Sequence, residues 1–166
     1  MAEENQAAQG QPEGQAQDQQ FSIQKLYLKD VSFESPNTPA VFADGEWQPE
    51  VNIQLNSTNQ SIGQDTFEVD LKLTVTAKQN KKTAFLVELT QSGIFTIAGF
   101  DAENLRGMLG AFCPETLFPF AREAIAELVS KGGFPPLLLA PVNFNALYMQ
   151  QAQQQQTATA SQDTAH

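Results

Sequence analysis

The sequence predicts an α+β fold in which an antiparallel sheet is followed by helices. In the first half of the chain, apolar and polar residues alternate over residues 51–56 and 67–76, which is the period of strands with one buried face. After Gly99 the apolar residues recur every three or four positions, as they do in amphipathic helices. Because no helix-length pattern separates the strands, parallel βαβ units are not expected.

Four strand regions are predicted, at about residues 21–34, 51–56, 67–76 and 83–97. The first is the least regular of them. Short or polar connections at residues 57–64 and 80–82 favour antiparallel neighbours, because two antiparallel strands need only a tight turn between them. The connection over residues 35–49 is longer and contains four residues that break regular structure: Pro36, Pro39, Gly45 and Pro49.

Three helices are predicted after the strands. Asp101 can cap a short helix that Pro114 ends, and a longer helix then runs from about Leu117 to Ser130. Pro119 is compatible with that helix only in its first turn. Asn143 can cap a final helix.

The composition predicts one folded domain between two polar tails. Residues 1–20 are rich in glutamine and acids and contain no aromatic residue, and residues 150–166 are again rich in glutamine. Neither segment can bury enough apolar surface to offset the entropy of the chain, so both are expected to be disordered. The folded domain is expected to cover residues 21–149. No membrane span or secretory signal is recognised, which predicts a cytoplasmic protein.

Acidic residues dominate the charge of the chain, which has a net charge of −10. This argues against a nucleic-acid partner, because phosphate binding requires basic residues. Residues 30–71 contain no lysine or arginine but eight acids, which are Asp30, Glu34, Asp44, Glu46, Glu50, Asp65, Glu68 and Asp70. Two interpretations remain open at this point: a solvated sheet face, or a docking face for a basic partner.

The sequence offers no catalytic or metal-binding constellation. Cys113 would need a base to act as a nucleophile, and the only histidine is His166, the last residue of the predicted tail. A buried structural role for Cys113 is therefore the better interpretation. A single cysteine and a single histidine cannot form a zinc site. We expect neither an enzyme nor a cofactor.

Three segments are richer in large apolar residues than one small core requires: residues 112–120, 134–139 and 144–148. The segment FPPLLLAP at residues 134–141 is too apolar for an ordinary loop and contains too many prolines for a helix. These residues either close the end of the core or border a groove for extended apolar peptide. An oligomer that binds no client and a carrier of a small ligand are the rival classes.

Five motifs, which lie in the same order along the chain as in the family, resemble the SecB family of bacterial export chaperones. They are KDVSFESPN (residues 29–37), WQPE (47–50), GIFTIAG (93–99), CPETLFPFAR (113–122) and LAPVNFNAL (139–147). Together they span about residues 21–149.

The resemblance implies a four-stranded antiparallel Greek-key sheet followed by a long helix, an apolar connecting loop and a C-terminal helix. It also implies a homotetramer built as a dimer of dimers, without a cofactor. Such a protein would hold unfolded secretory precursors in the cytoplasm and deliver them to the motor ATPase SecA. It would neither bind nucleic acid nor insert into the membrane.

The resemblance further implies three sets of site residues. The SecA-binding residues would be Asp30, Glu34, Leu86 and Glu88. The client groove would contain Trp47, Phe85, Phe118, Phe120, Phe134, Leu137 and Leu139. The tetramer interface would involve Val87, Leu89 and Gln91.

Overall fold

The computed structural model describes residues 18–163, and the side chains of residues 18–155. Four strands come first: β1 (Gln20–Glu34), β2 (Glu50–Gly63), β3 (Thr66–Gln79) and β4 (Lys82–Ala98). They are followed by α1 (Ala102–Gly107), a π-helical turn (Met108–Phe112), α2 (Cys113–Lys131) and α3 (Phe144–Asp163). A 3₁₀ turn, Ala40–Ala43, lies in the connection between β1 and β2. The predicted α+β class is confirmed.

The sheet has the strand order β1-β4-β3-β2, and all three neighbouring pairs are antiparallel. Tight hairpins join β2 to β3 and β3 to β4, whereas residues 35–49 carry the chain from β1 to the opposite edge. This is the predicted Greek-key arrangement. It leaves β1 and β2 as the two edge strands.

The hairpin turns are shorter than the sequence predicts. Asn80 and Lys81 both have positive φ values, 50° and 66°, as a two-residue turn between antiparallel strands requires. The polar connection expected at residues 57–64 is wrong, because β2 continues to Gly63. Its polar residues still pair with β3, for example Ser57 with Leu71. An edge strand tolerates such residues, since much of its surface faces solvent.

The core lies between one face of the sheet and α2. From β3, every second residue from Val69 to Ala77 is fully buried. Leu117, Ala121, Ile125 and Val129 lie four residues apart along α2, so they share the helix stripe that covers these strands. Burying each of the larger of these side chains contributes about 1.5–3 kcal/mol, which fixes α2 on the sheet.

The helical segment is continuous where the sequence predicts a break at Pro114. α2 begins at Cys113 rather than near Leu117, with Pro114 in its first turn, and Pro119 lies inside it. The turn before α2 is π-helical, and the amide of Cys113 donates to the carbonyl of Met108, five residues earlier. This wider turn leads into Pro114, which has no backbone N–H and cannot donate the usual helical hydrogen bond.

α3 begins as predicted but continues further. The Asn143 side chain accepts a hydrogen bond of 3.0 Å from the amide of Ala146, so the predicted cap is present. The helix runs to Asp163, past the domain end expected at Met149, because its glutamines and alanines are good helix formers. Residues 1–17 and 164–166, which belong to the predicted tails, lie outside the described residues.

The start of α3 is held against the π-helical turn at Gly110. A Cβ atom on Gly110 would lie 2.5 Å from the ring of Tyr148, so only glycine allows this close approach. Among the helices of residues 18–163, none has the length and apolar character needed to cross a membrane.

Candidate functional site

The two faces of the sheet differ in chemistry. One face packs against α2 and is apolar, as at Val87 and Leu89 of β4. The opposite face, here called the polar face, carries the alternate residues, such as Glu88 and Thr90. Since successive residues of a strand point to opposite sides, a single strand can serve two different surfaces.

An apolar groove lies where α2 leaves β2 uncovered. It has a volume of about 310 Å³ and is lined by residues of β2, α2, the 134–143 loop and α3, including Ile53, Leu55, Phe118, Leu139, Val142 and Leu147. The floor is formed by Leu55 and Leu73, a directly opposed pair on β2 and β3. Phe118 packs against Phe144 with their ring centroids 5.7 Å apart, which holds the start of α3 at the rim.

An aromatic cluster lies beyond the C-terminal end of α2. Phe134 is at its centre, with its ring centroid 5.2 Å from that of Trp47 and 5.1 Å from those of Phe42 and Phe85. Residues 134–143 join this cluster to the groove, because Phe134 belongs to the first and Leu139 lines the second. The loop has no regular secondary structure, as its sequence predicts.

The structure separates the residues predicted for the client groove. Phe118 and Leu139 line the groove, whereas Trp47, Phe85 and Phe134 form the aromatic cluster. Leu137, which is half-buried, packs against the core. Of these residues, Phe85 is buried from all sides and supports the cluster from beneath.

Phe120, which was also predicted for the client groove, does not line this groove. It lies two residues beyond Phe118 on α2, and residues with this spacing project about 200° apart around a helix. Its side chain is 45% exposed on the other side of α2. Sequence reasoning also missed two exposed apolar residues of these surfaces, Phe42 in the aromatic cluster and Ile53 in the groove. The alternation of apolar residues in β2 was the signal for Ile53.

The residues predicted to bind SecA share the polar face. Glu34 of β1 pairs directly with Leu86 of β4, and Asp30 pairs with Thr90 of the same strand. Glu88 lies between these two pairs, opposite Ser32. Within residues 18–155, the carboxylates of Asp30, Glu34 and Glu88 form no hydrogen bond or ion pair. We call these three residues, with Leu86, the open acidic patch.

A second group of acids on the polar face is fully paired. The closed network consists of Tyr27, Lys29, Gln60, Glu68, Asp70 and Ser92. The Nζ atom of Lys29 lies 3.0 Å from Oε1 of Glu68 and 2.8 Å from Oδ2 of Asp70. Tyr27 donates its hydroxyl proton to Glu68, and Ser92 donates to Oδ1 of Asp70 at 2.6 Å.

The hydrogen bonds of the closed network shift the ionisation of its members. Donors from Tyr27, Gln60 and Lys29 lower the pKa of Glu68 to about 2. Burial, together with the Glu68 carboxylate, raises the pKa of Tyr27 to about 12, so its hydroxyl keeps its proton at neutral pH. Glu68 is therefore an anion at neutral pH and accepts the hydrogen bond of a protonated Tyr27.

We expect the closed network to stabilise the fold above pH 4.5 and to lose this effect as the pH falls towards 2. A carboxyl group whose pKa is lowered by folding binds its proton more weakly in the folded chain, so protonation favours the unfolded one. Melting temperatures of wild type and Glu68→Gln, measured from pH 7 to pH 2, should differ most above pH 4.5 and converge near pH 2. Glu34→Gln, at an exposed and unpaired position, is the matched control and should follow the wild-type profile. A constant difference across this range would contradict the expectation.

The residues predicted for the tetramer interface lie inside the single chain. Val87 and Leu89 are 0% exposed beneath α2, so neither can form a surface in this conformation. Gln91 is also buried, and its side-chain amide donates to the backbone carbonyl of Tyr27 at 3.1 Å. An effect of these residues on assembly would therefore act through the position of α2 and β1.

Cys113 has the structural role that the sequence predicts. Its side chain is fully buried in the core cluster, and burial raises the pKa of its thiol to about 12. It therefore stays protonated at neutral pH and is a poor nucleophile. No group of three or more potential metal ligands occurs within the part of the chain that the structure describes.

Comparison with known proteins decides the family. A family model described as "Preprotein translocase subunit SecB" matches residues 14–155. The protein-export protein SecB of Nitrosococcus oceani is 58% identical over 149 residues, which are 89% of this chain and 91% of that protein. The chain belongs to the SecB family. The corresponding protein of Methylococcus capsulatus is 55% identical over 163 residues, covering 97% of this chain and 99% of its own length.

Membership of the SecB family makes the chain a protein-export chaperone and not an enzyme. Among solved structures, the SecB-like chaperone of Mycobacterium tuberculosis in complex with a ChAD peptide from the HigA1 antitoxin has the same fold. Its TM-score is 0.61 at 15% identity, and the match covers 74% of this chain and 90% of that one. Membership of the family also excludes the two rival classes, a carrier of a small ligand and an oligomer that binds no client.

Proposed function

We propose that this SecB-family chain holds unfolded precursor proteins on the apolar side of its sheet and docks SecA on the polar face. The observation that carries the proposal is the separation of the two surfaces on opposite faces of one sheet. The groove contains Ile53 on the apolar side, whereas the open acidic patch lies on the other. One chaperone can then keep its client while SecA binds. We place this encounter in the cytoplasm.

The groove and the aromatic cluster fit an unfolded client. Exposed apolar side chains run from Phe42 beside the cluster to Ile53 in the groove, and Leu138 of the loop between them is 76% exposed. An extended chain laid along this path would bury apolar surface wherever its own large side chains fall. Such contacts require no particular sequence, which suits a chaperone that binds many precursors. The M. tuberculosis chaperone, which has the same fold and is bound to a peptide, supports the proposal that this fold binds polypeptide chains.

The open acidic patch fits a basic segment of SecA. Its carboxylates are unpaired within the described residues, so they can accept hydrogen bonds from lysine or arginine without first breaking an internal ion pair. Leu86 adds an apolar contact beside Glu34. Complementary charge steers association and fixes orientation more than it adds raw affinity.

We also propose assembly into a homotetramer, as a dimer of dimers, which is supported by surfaces that a single chain leaves uncovered. β1 is an edge strand of 15 residues with three exposed apolar side chains, Ile23, Leu28 and Val31. A long edge with unpaired backbone groups favours pairing with another chain. Phe120 on α2 and Phe112 at the end of the π-helical turn are also exposed and suit a second interface.

The test of SecA docking is Glu88→Lys. We expect it to lower the affinity for SecA at least fivefold, because it places a cation in the open acidic patch, and to leave client affinity within twofold. Titration calorimetry against SecA and against a reduced, unfolded protein, each at two salt concentrations, measures both. SecA binding should weaken with salt, and client binding should change little. Joint loss of both activities in an intact oligomer would refute the separation of the two surfaces.

Client binding itself is tested by light scattering after size-exclusion chromatography, with and without a reduced, unfolded protein. The chaperone should shift to a higher mass in the presence of the client. The mass measured without the client tests whether the chain forms a tetramer. An unchanged mass with the client would refute the proposed holding function in this chain.

A further inference from the structure

The polar face of the sheet carries two sets of acids that differ in availability. In the closed network, each oxygen of Glu68 and Asp70 already accepts a hydrogen bond. In the open acidic patch, the carboxylates of Asp30, Glu34 and Glu88 accept none within residues 18–155. The two sets lie on the same surface, so a basic partner meets both.

Lys29 is the only cation among the residues of the closed network. It lies at an irregularity of β1, where the register with β4 shifts between Leu28 and Asp30. Lys29 therefore has no direct partner on β4, and its side chain reaches over that strand to Glu68 and Asp70 on β3. Both carboxylates are only partly exposed, at 12% and 23% of their side-chain surface.

Two other lysines of this face do not make such a pair. Lys25 on β1 pairs in register with Ile94, and Lys72 on β3 pairs with Thr90, so both lie on the polar face. Neither forms an ion pair within the described side chains, and both are exposed. Lys29 alone among these three pairs with two carboxylates, and it reduces their combined charge from −2 to −1.

We propose that Lys29 determines the specificity of the docking face: by occupying Glu68 and Asp70, it confines a lysine- or arginine-rich partner segment to the open acidic patch. The inference rests on the proposed docking of a basic partner on this face. Without Lys29, these two carboxylates would lose their only paired cation and form a second negative site one strand away from Glu88. The partner would then bind in more than one position.

The test uses the full-length chain and a fluorescein-labelled octalysine peptide, with binding followed by anisotropy. Glu88→Lys is introduced into three backgrounds: wild type, Lys29→Met and Lys25→Met. Methionine keeps an unbranched side chain of similar length and removes the charge. Lys25→Met is the matched control, because it makes the same change of charge on the same strand and face.

In wild type and in Lys25→Met, Glu88→Lys should lower octalysine affinity at least fivefold. In Lys29→Met the same substitution should lower it less than twofold, because Glu68 and Asp70 then accept the peptide. If Lys29→Met behaves like Lys25→Met, the inference is overturned. If octalysine behaves as expected but SecA does not bind the wild-type chain, the proposed partner is wrong and the role of Lys29 stands.

A second pair of variants keeps the inference testable if Lys29→Met folds poorly. Glu68→Gln with Asp70→Asn removes the two paired acids and should leave octalysine affinity within twofold. Asp30→Asn with Glu34→Gln removes two acids of the open acidic patch and should lower affinity at least fivefold. Equal losses in the two double variants would overturn the inference, because the acids would then contribute only through net charge.

Discussion

Replacing Val87 with aspartate should lower the free energy of unfolding by at least about 3 kcal/mol, because it buries an unpaired carboxylate in the core. Val87 is fully buried beneath α2, opposite Val75 of β3 and Phe33 of β1. The sequence-based assignment of Val87 to a tetramer interface predicts a folded dimer instead. Urea unfolding followed by circular dichroism, together with sedimentation at the same protein concentration, distinguishes a destabilised chain from a folded dimer.

The matched control is Val51→Asp, at a valine of edge strand β2 that is 38% exposed. It introduces the same side chain where the carboxylate keeps contact with water, so it should cost less than about 1 kcal/mol. A Val87→Asp chain that unfolds at the same urea concentration as Val51→Asp would show that the interior of the sheet is not packed as described.

Replacing Ile53 with aspartate should lower the affinity for an unfolded client at least tenfold. Ile53 lines the groove, and its side chain is 47% exposed, so it is available to a client without being required for the core. Loss of its apolar contact and the placement of a carboxylate in the groove both act against binding. Affinity for a reduced, unfolded protein, measured by titration calorimetry at constant salt, gives the result directly.

Ile62→Asp is the control for this substitution. Ile62 lies on the same strand with a similar exposure of 49%, but towards the far end, at the turn into β3. Its replacement should change client affinity less than twofold. Equal losses in the two variants would indicate that clients use the whole edge of β2 rather than the groove.

The fold was largely predictable from local patterns, and the errors have a common physical cause. Alternation predicted β3 and β4 because each has one face in the core, and Asp101 and Asn143 were recognised as caps from their residue types. The break expected at Pro114 was wrong, because packing of α2 on the sheet supports a continuous helix through the π-helical turn. The length of β2 was underestimated for the same reason: pairing with β3 extends it through polar residues.

The candidate site was less predictable, because it depends on residues that are distant in sequence. Phe118 and Phe120 are the same residue type in the same segment of the sequence. Only the position of α2 on the sheet places Phe118 in the groove and Phe120 on the outer surface. The absence of a cation from residues 30–71 left open whether its acids form a solvated face or a docking face. Lys29, one position before that interval, pairs with two of its acids because the sheet brings β1 within reach of β3.

The sequence by itself determined the α+β class, the caps, the apolar loop, the structural role of Cys113 and, through its motifs, the resemblance to the SecB family. These features depend on side-chain periodicity, on conformational preference and on residue types that act locally. Only the tertiary structure decided which acids remain open, which phenylalanines border the groove, and that Val87 and Leu89 lie inside the chain. A strand pattern shows that two sets of residues face opposite ways, but the packing of α2 decides which set is buried, and strand order decides which charges meet.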